Sequence, residues 1–274
     1  MTGRTRRVVV ALDASAPSLE AARTAAELAR TLGAELAGLF VEDVNVLRLA
    51  RLPFAQQVPS SGGAARPLES EVLEAELRAL AAWAREALAR EADLVHVSWT
   101  FEVRRGPLPD EVLTAASHED VLVVGARGHS ARGHPGATAR AVAERAATSV
   151  VVQGRSARSG RGVLVACDGS PESERALAAA AALARHELVA LCLAPDALAA
   201  ARLAERLREV IPGRRATARW AGGAGLADLL ATARAAVPEL LVVAAGSPLL
   251  RDGGFALLVA EAPCPVLLAR SAAG

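Results

Sequence analysis

The chain repeats itself, and that repeat limits what it can fold into more than any other feature. An apolar run stopped by Asp and Ser, Arg7-Val-Val-Val-Ala-Leu-Asp13-Ala-Ser15, returns 155 residues later as Gly162-Val-Leu-Val-Ala-Cys-Asp168-Gly-Ser170. The same offset lays Leu28-Ala29-Arg30 on Leu183-Ala184-Arg185. A period this long means duplicated domains, not a solenoid. Each half carries a second apolar run, Leu36 to Val41 and Leu188 to Leu193, and a third, Val121 to Val124 and Leu240 to Val243. Each then closes on a last run near Val150 or Val266. Short continuous apolar runs alternating with Ala-rich helical stretches are the pattern of strands buried on both faces of a parallel sheet. The expected fold class is α/β, as two tandem three-layer sandwiches with five-stranded parallel sheets. Gly154 to Gly162 is polar, glycine-bearing and aperiodic, so the expected domains are 1–153 and 163–274 with a linker at 154–162.

Composition narrows the chemistry. Basic and acidic residues nearly cancel at a net charge of +1, which leaves no field to draw the chain to nucleic acid or anionic lipid. Every basic residue is Arg, so a P-loop lysine, a Schiff-base lysine and a lysine general base are all excluded. The apolar run at the start, up to Asp13, is shorter than a signal-peptide core, and no apolar stretch approaches the roughly 20 residues that span a bilayer. A cytoplasmic protein is expected. Cys167, Cys192 and Cys264 match no metal-ligand spacing and are read as small buried apolar residues forming no close pair; no structural metal is expected.

In an open parallel sheet, ligands bind beyond the carboxyl ends of the strands where strand order reverses. The residues just after strands are therefore the candidates: Asp13, Glu42-Asp43, Arg104-Arg105-Gly106, and the stretch from Gly125 to Arg140. That last stretch follows a buried strand, carries four glycines and three arginines, and leads into a helix starting near Thr138. Free amides at glycines and at a helix N-terminus suit a phosphate, while a solvated turn explains the same composition. Residues 43–68 hold Pro53, Pro59 and Pro67 and cannot form one helix; they read as a flap beside the sheet. An amphipathic helix is expected over 69–90, covering the sheet. His96-Val-Ser-Trp99 through Val103, and Ala216 through Trp220, alternate like strands, with the indoles as packing groups.

Val121-Leu-Val-Val-Gly125-Ala-Arg-Gly128, Cys167-Asp168-Gly-Ser-Pro-Glu-Ser-Glu-Arg-Ala-Leu177 and Ala262-Pro-Cys-Pro-Val-Leu-Leu268, in this order, resemble the universal stress proteins. The resemblance covers nearly the whole chain, twice. It implies a Rossmann-like fold, flavodoxin-like and akin to the adenine-nucleotide α-hydrolases, with ATP or another adenine nucleotide as ligand. Carried across, Asp13 and Val41 would border adenine and ribose, and Gly125 and Gly128 the phosphates. The family pattern then has nine residues followed by Gly-Ser or Gly-Thr. Here Gly136-Ala137 comes after seven and Thr138 stands without its glycine. Either the loop is two residues shorter, with Ala137 in place of the hydroxyl residue, or Thr138 supplies the hydroxyl from a shifted helix start.

In the second half both glycines of the first pair become Ala244 and Ser247, and Pro248 removes an amide donor. This half is expected to be a degenerate copy that serves as an interface. Edge strands with apolar faces seek partners, and the resemblance implies that the last strands, near Val150 and Val266, meet in an intrachain pseudo-dimer, with a further homodimer also open. His129 and His134 stand at no triad spacing and receive no catalytic role. Arg104 and Arg105 are secondary candidates for phosphate contact. The expected function is a non-enzymatic, nucleotide-responsive stress protein read by an unidentified protein partner. A ligand-free scaffold and a slow ATPase are the alternatives.

Overall fold

A computed structural model describes residues 6–52, 56–57, 66–67, 70–127, 135–154, 160–212 and 216–270. The first half runs β1 (Arg7–Leu12), α1 (Ala16–Leu32), β2 (Glu35–Asp43), α2 (Val44–Ala50), β3 (Gln56–Gln57), β4 (Arg66–Pro67), α3 (Ser70–Val95), β5 (Trp99–Gly106), α4 (Leu108–Ala115), β6 (Val121–Gly125), α5 (Ala137–Arg145) and β7 (Ser149–Gln153). The second runs β8 (Val163–Cys167), α6 (Pro171–Leu183), β9 (Leu188–Cys192), α7 (Ala197–Val210), β10 (Thr217–Arg219), α8 (Leu226–Ala236), β11 (Leu240–Ala244), a 3-10 turn (Pro248–Leu250), α9 (Gly254–Glu261) and β12 (Val266–Ala269).

The helices start where short polar side chains replace the missing intrahelical acceptors. Ser15, Ser170 and Asp196 each accept from an amide two or three residues into α1, α6 and α7 respectively. Pro17 and Pro171 sit in first turns, where no amide is needed. The strands are the apolar runs: β7, β8, β9 and β11 are buried at every residue, as strands covered on both faces must be.

Within each half the five long strands are all parallel, in the order β5-β2-β1-β6-β7 and β10-β9-β8-β11-β12. Both halves thus reverse order beside their first strand, between β1 and β6 and between β8 and β11. The α/β fold expected from the repeat is present in both halves. The two sheets do not remain separate layers, however. β7 pairs antiparallel with β12, Val150 opposite Leu268 and Val152 opposite Val266, which joins all ten strands into one sheet among the described residues. On the α1 and α6 side one core runs across this seam, uniting Val8, Val10 and Val151 with Val163, Val165 and Leu267. On the other side the halves exchange helices: Ala143 of α5 packs in the second half's core and Val259 of α9 in the first's.

Three local expectations need correction. Cys167 and Cys192 are close after all, being register partners on β8 and β9, because parallel pairing aligns strand ends that lie 25 residues apart in sequence. Both are buried, and burial raises both thiol pKa values, so they pack as apolar groups. The helix expected over 69–90 continues to Val95, since no glycine or proline stops it earlier. His96 then turns the chain in the left-handed region (φ 56°), and the strand begins only at Trp99. Of the expected flap over 43–68, Asp43 ends β2, Val44–Ala50 is helical with Arg51 and Leu52 turning after it, and Gln56–Gln57 pairs with Arg66–Pro67; residues 53–55, 58–65 and 68 lie outside the described residues.

Away from the carboxyl ends of the strands, buried Asp120 ties β1 to the loop before β6. It accepts from Arg7 Nη2 (2.8 Å), Ser117 N (2.9 Å) and Ser117 Oγ (3.0 Å). Burial pushes its carboxyl pKa up, but these donors outweigh burial and hold it below the usual value. A depressed folded pKa stabilises the protein above the unfolded value, about 3.9, and that part is lost as pH falls through the folded pKa. Asp120→Asn is therefore expected to lower unfolding free energy by roughly 1–3 kcal/mol at pH 7. In urea titrations the gap between variant and wild type should narrow below about pH 4. A gap that stays constant down to pH 2.5 would assign the loss to something other than the charge.

Candidate functional site

The reversal beside β1 places the ends of β1, β2 and β6 around one hollow. β1 ends at Leu12, and Asp13 begins the turn into α1. Asp13 Oδ1 accepts from Ser15 N (3.0 Å) and Ser15 Oγ (2.5 Å), with Ala14 between them in the left-handed region (φ 61°). The second half repeats this turn atom for atom, Asp168 accepting from Ser170 N (2.9 Å) and Oγ (2.6 Å), with Gly169 at φ 84°. Burial raises the Asp168 pKa, but hydrogen bonds from Ser170 and Ser173 outweigh it and leave the carboxyl below its usual range.

Across from Asp13, the chain leaves β6 at Gly125. Ala126 N donates to Gln153 O (2.7 Å) and Gly136 N donates to Ala126 O (2.8 Å), so the two ends of the intervening loop are tied together. Gly136 is the N-cap of α5, without a side chain to cap it, so among the described residues no N-cap side chain bonds the first amides of that helix. Helix α5 begins at Ala137, one residue before Thr138. Among the described residues a Cβ added at Gly125 would rest at ordinary contact distance from Arg127 O (3.5 Å) and the Pro17 carbonyl (3.7 Å), so a methyl fits there without a clash.

The hollow is a cavity of about 550 Å³, within the range of small-molecule sites. It gathers Asp13, Val41, Gly125, Gly136, Ala137 and Thr138 on one lining. Gly128 and the two histidines of its loop lie outside the described residues. Sequence reasoning missed the opposite wall: Val46 of α2 and Leu77 and Leu80 of α3, with Leu108 of α4. Leu77 and Leu80 carried only a helical-periodicity signal, which is the same whether a leucine covers a sheet or faces a ligand. The result is a largely apolar slot whose polar lining includes Asp13, Ser18, Asp43, Arg127 and Thr138.

Arg104 and Arg105 are engaged elsewhere. Arg104 Nε donates to Glu102 (2.9 Å), while Arg105 Nη2 pairs with buried Glu42 (2.7 Å). Among the described residues no group of three His, Cys, Asp or Glu side chains is placed to hold a metal ion, and no helix is long and apolar enough to cross a membrane.

At the matching place in the second half, the chain after β11 folds on itself. Ser247 N donates to Ala244 O (3.0 Å), Leu250 N to Ser247 O (3.1 Å), and Arg251 N to Pro248 O (3.2 Å). Three amides after β11 are thus used within the turn itself. Arg206 of α7 lies over the turn after β8, donating to Gly169 O (3.0 Å) and pairing with Glu174 (2.7 Å). A cavity of about 400 Å³ does open there, but between Arg175 of α6 and Arg270 after β12, not between the first two strands.

A family model described as the universal stress protein family matches residues 4–153. Among solved structures, a universal stress protein from Archaeoglobus fulgidus DSM 4304 superposes with a TM-score of 0.74 at 16% identity, covering 98% of this chain and 99% of that one. A putative universal stress protein from Pseudomonas aeruginosa UCBPP-PA14 gives a TM-score of 0.55 at 15% identity, covering 99% and 94%. At these identities the superpositions speak for the fold. No curated protein sequence matches the chain.

Two glycines near β-strand ends separate an open position from a packed one. Gly125→Ala is expected to leave the thermal midpoint unchanged or slightly raised, since the methyl meets its neighbours at ordinary contact distance and the unfolded chain loses freedom. At Gly154 a Cβ would stand 2.7 Å from the Val259 carbonyl, and Gly154→Ala should lower stability by roughly 1–3 kcal/mol. Differential scanning calorimetry of the two variants checks both; an equal loss in each would mean that Gly125 is packed as tightly as the seam.

Proposed function

The chain belongs to the universal stress protein family, and from that premise we propose that its first half binds ATP or a related adenine nucleotide. The observation that carries this reading is the convergence, on one cavity of about 550 Å³, of an apolar slot, the Asp13 turn, Gly125 and the uncapped N-terminus of α5. A flat base suits the apolar walls formed by Val41, Val46 and Leu80. A polyanion suits backbone amides at the positive end of a helix dipole, and Arg127 in the lining adds charge. Asp13 and Val41 would border base and ribose; Gly125, Gly136, Ala137 and Thr138 would face the phosphates, together with Gly128.

In this reading the protein is not an enzyme but a cytoplasmic stress protein whose surface depends on nucleotide. A ligand touching α2, α3, β6 and α5 at once ties the packed α2–α3 pair to β6 and α5 across the cavity, and a protein partner reads the difference. The domains are 1–153, which holds the ligand, and 163–274, with 154–162 between them. The second domain acts as a built-in dimer partner; Pro248 and the turn that uses three amides after β11 argue against the same phosphate cradle at the matching position.

Titration calorimetry with ATP, ADP and AMP tests the reading. Wild-type protein is expected to bind, and Gly125→Val to lose at least about tenfold in affinity, since a branched side chain would fill the anion end of the cavity. No heat and no thermal shift at millimolar nucleotide would leave a ligand-free scaffold. Steady ATP turnover abolished by Asp13→Ala would make the protein a hydrolase instead.

A further inference from the structure

Helix α5 has its two ends in different halves of the molecule. Its N-terminus borders the cavity of the first half, while its last turn meets the final strand of the second. There Arg270, the residue after β12, donates through Nη2 to the carbonyls of Ala143 and Glu144 and through Nη1 to that of Thr148 (3.5 Å). Its own amide donates to Ser149 Oγ (3.0 Å). The carbonyls at the end of a helix have no partners within it, so a half-buried guanidinium there closes the last turn and places a cation at the negative pole.

The seam is pseudo-symmetric, yet this clamp is not. Sheet register makes Val150 the counterpart of Val266, so Arg270 corresponds to Gly154 and Ala143 to Val259. Gly154 lies against the Val259 carbonyl with backbone alone. The arginine therefore acts on the helix of the half that has the cavity, and a glycine stands where the other half would need one. A second arginine acts in the same direction: Arg185, after α6, donates to Thr31 Oγ1 (2.5 Å) and Glu27 O (3.5 Å) in the last turns of α1, whose first turn supplies Ser18 to the cavity.

We propose that Arg270 of the second half is a positioning residue for the anion-facing end of α5, so that cavity occupancy and the β7–β12 seam are thermodynamically coupled through this helix. The inference rests on the nucleotide reading above for its ligand. α5 has nine residues, about 13 Å, and loss of its last turn leaves fewer than two turns to hold the first amides in line. Coupling is reciprocal: a ligand that fixes the N-terminus of α5 strengthens the seam by the same factor that the seam strengthens ligand binding.

The test uses the full chain with ATP as probe, read by calorimetry and by amide hydrogen exchange. Arg270→Met, which keeps length and removes the donors, is expected to weaken ATP affinity about tenfold and to speed exchange across α5. Arg270→Lys, a single-point donor, should fall between the two and serves if the Met variant does not fold. Arg145→Ala on the same helix, which removes a last-turn cation and its exposed pair with Asp110 but leaves the Arg270 contacts in place, should lose much less affinity than Arg270→Met. In wild type, ATP should slow exchange in β7 and β12. Unchanged affinity and unchanged α5 exchange in both Arg270 variants would overturn the proposal. Should wild type bind no nucleotide, the function reading fails by itself; α5 exchange in the Arg270 variants then decides the clamp alone, faster exchange supporting it and wild-type exchange overturning it.

Discussion

The antiparallel pairing of β7 with β12 is the contact on which the rest of the architecture depends. Each is the last strand of its half and is apolar on both faces, so either one left at an edge would expose an open ladder and two apolar surfaces. Pairing them satisfies both ladders at once. It also places the preceding helices, α5 and α9, over the partner half's strands, so that Ala143 and Val259 are buried in cores to which their own strands do not belong. Neither half can lose the other without exposing part of its own interior.

This arrangement gives the two halves different tasks from nearly the same template. Both build the Asp-x-Ser turn after their first strand and reverse strand order beside it, so both have a crevice in principle. In the first half, Gly125 and the uncapped α5 leave amides and space. In the second, the 3-10 turn Pro248–Leu250 consumes its own amides and Arg206 covers the turn. Two local differences, the replaced glycines with their self-bonded turn and an arginine bonded across the turn after β8, separate the two crevices while the core architecture remains the same.

Much of this was legible beforehand where the signal is local. Buried strands announce themselves as short apolar runs, and Ser15, Ser170, Pro17 and Pro171 mark helix starts because capping chemistry acts over three residues. Asp13 and Gly125 were findable because strand ends at a reversal are the usual ligand positions. What escaped was long-range. Leu77, Leu80 and Val46 gave no sign of facing a cavity, since a side chain's periodicity says which face it occupies and not what lies opposite. The register that sets Cys167 beside Cys192, and the bonds that engage Arg105 with Glu42, depend on strand pairing across many residues.

The amino-acid sequence by itself determined the duplication, the α/β class, the parallel strands and the loss of glycines in the second copy, because each follows from patterns a few residues long repeated at a constant offset. Only the tertiary structure decided the antiparallel register in which the two last strands join the sheets, that the cavity has an apolar wall from α2 and α3, and that Arg270 of one half closes a helix of the other. Those outcomes depend on which surfaces remain uncovered once each half has folded, and that is a property of assembled shapes rather than of any segment.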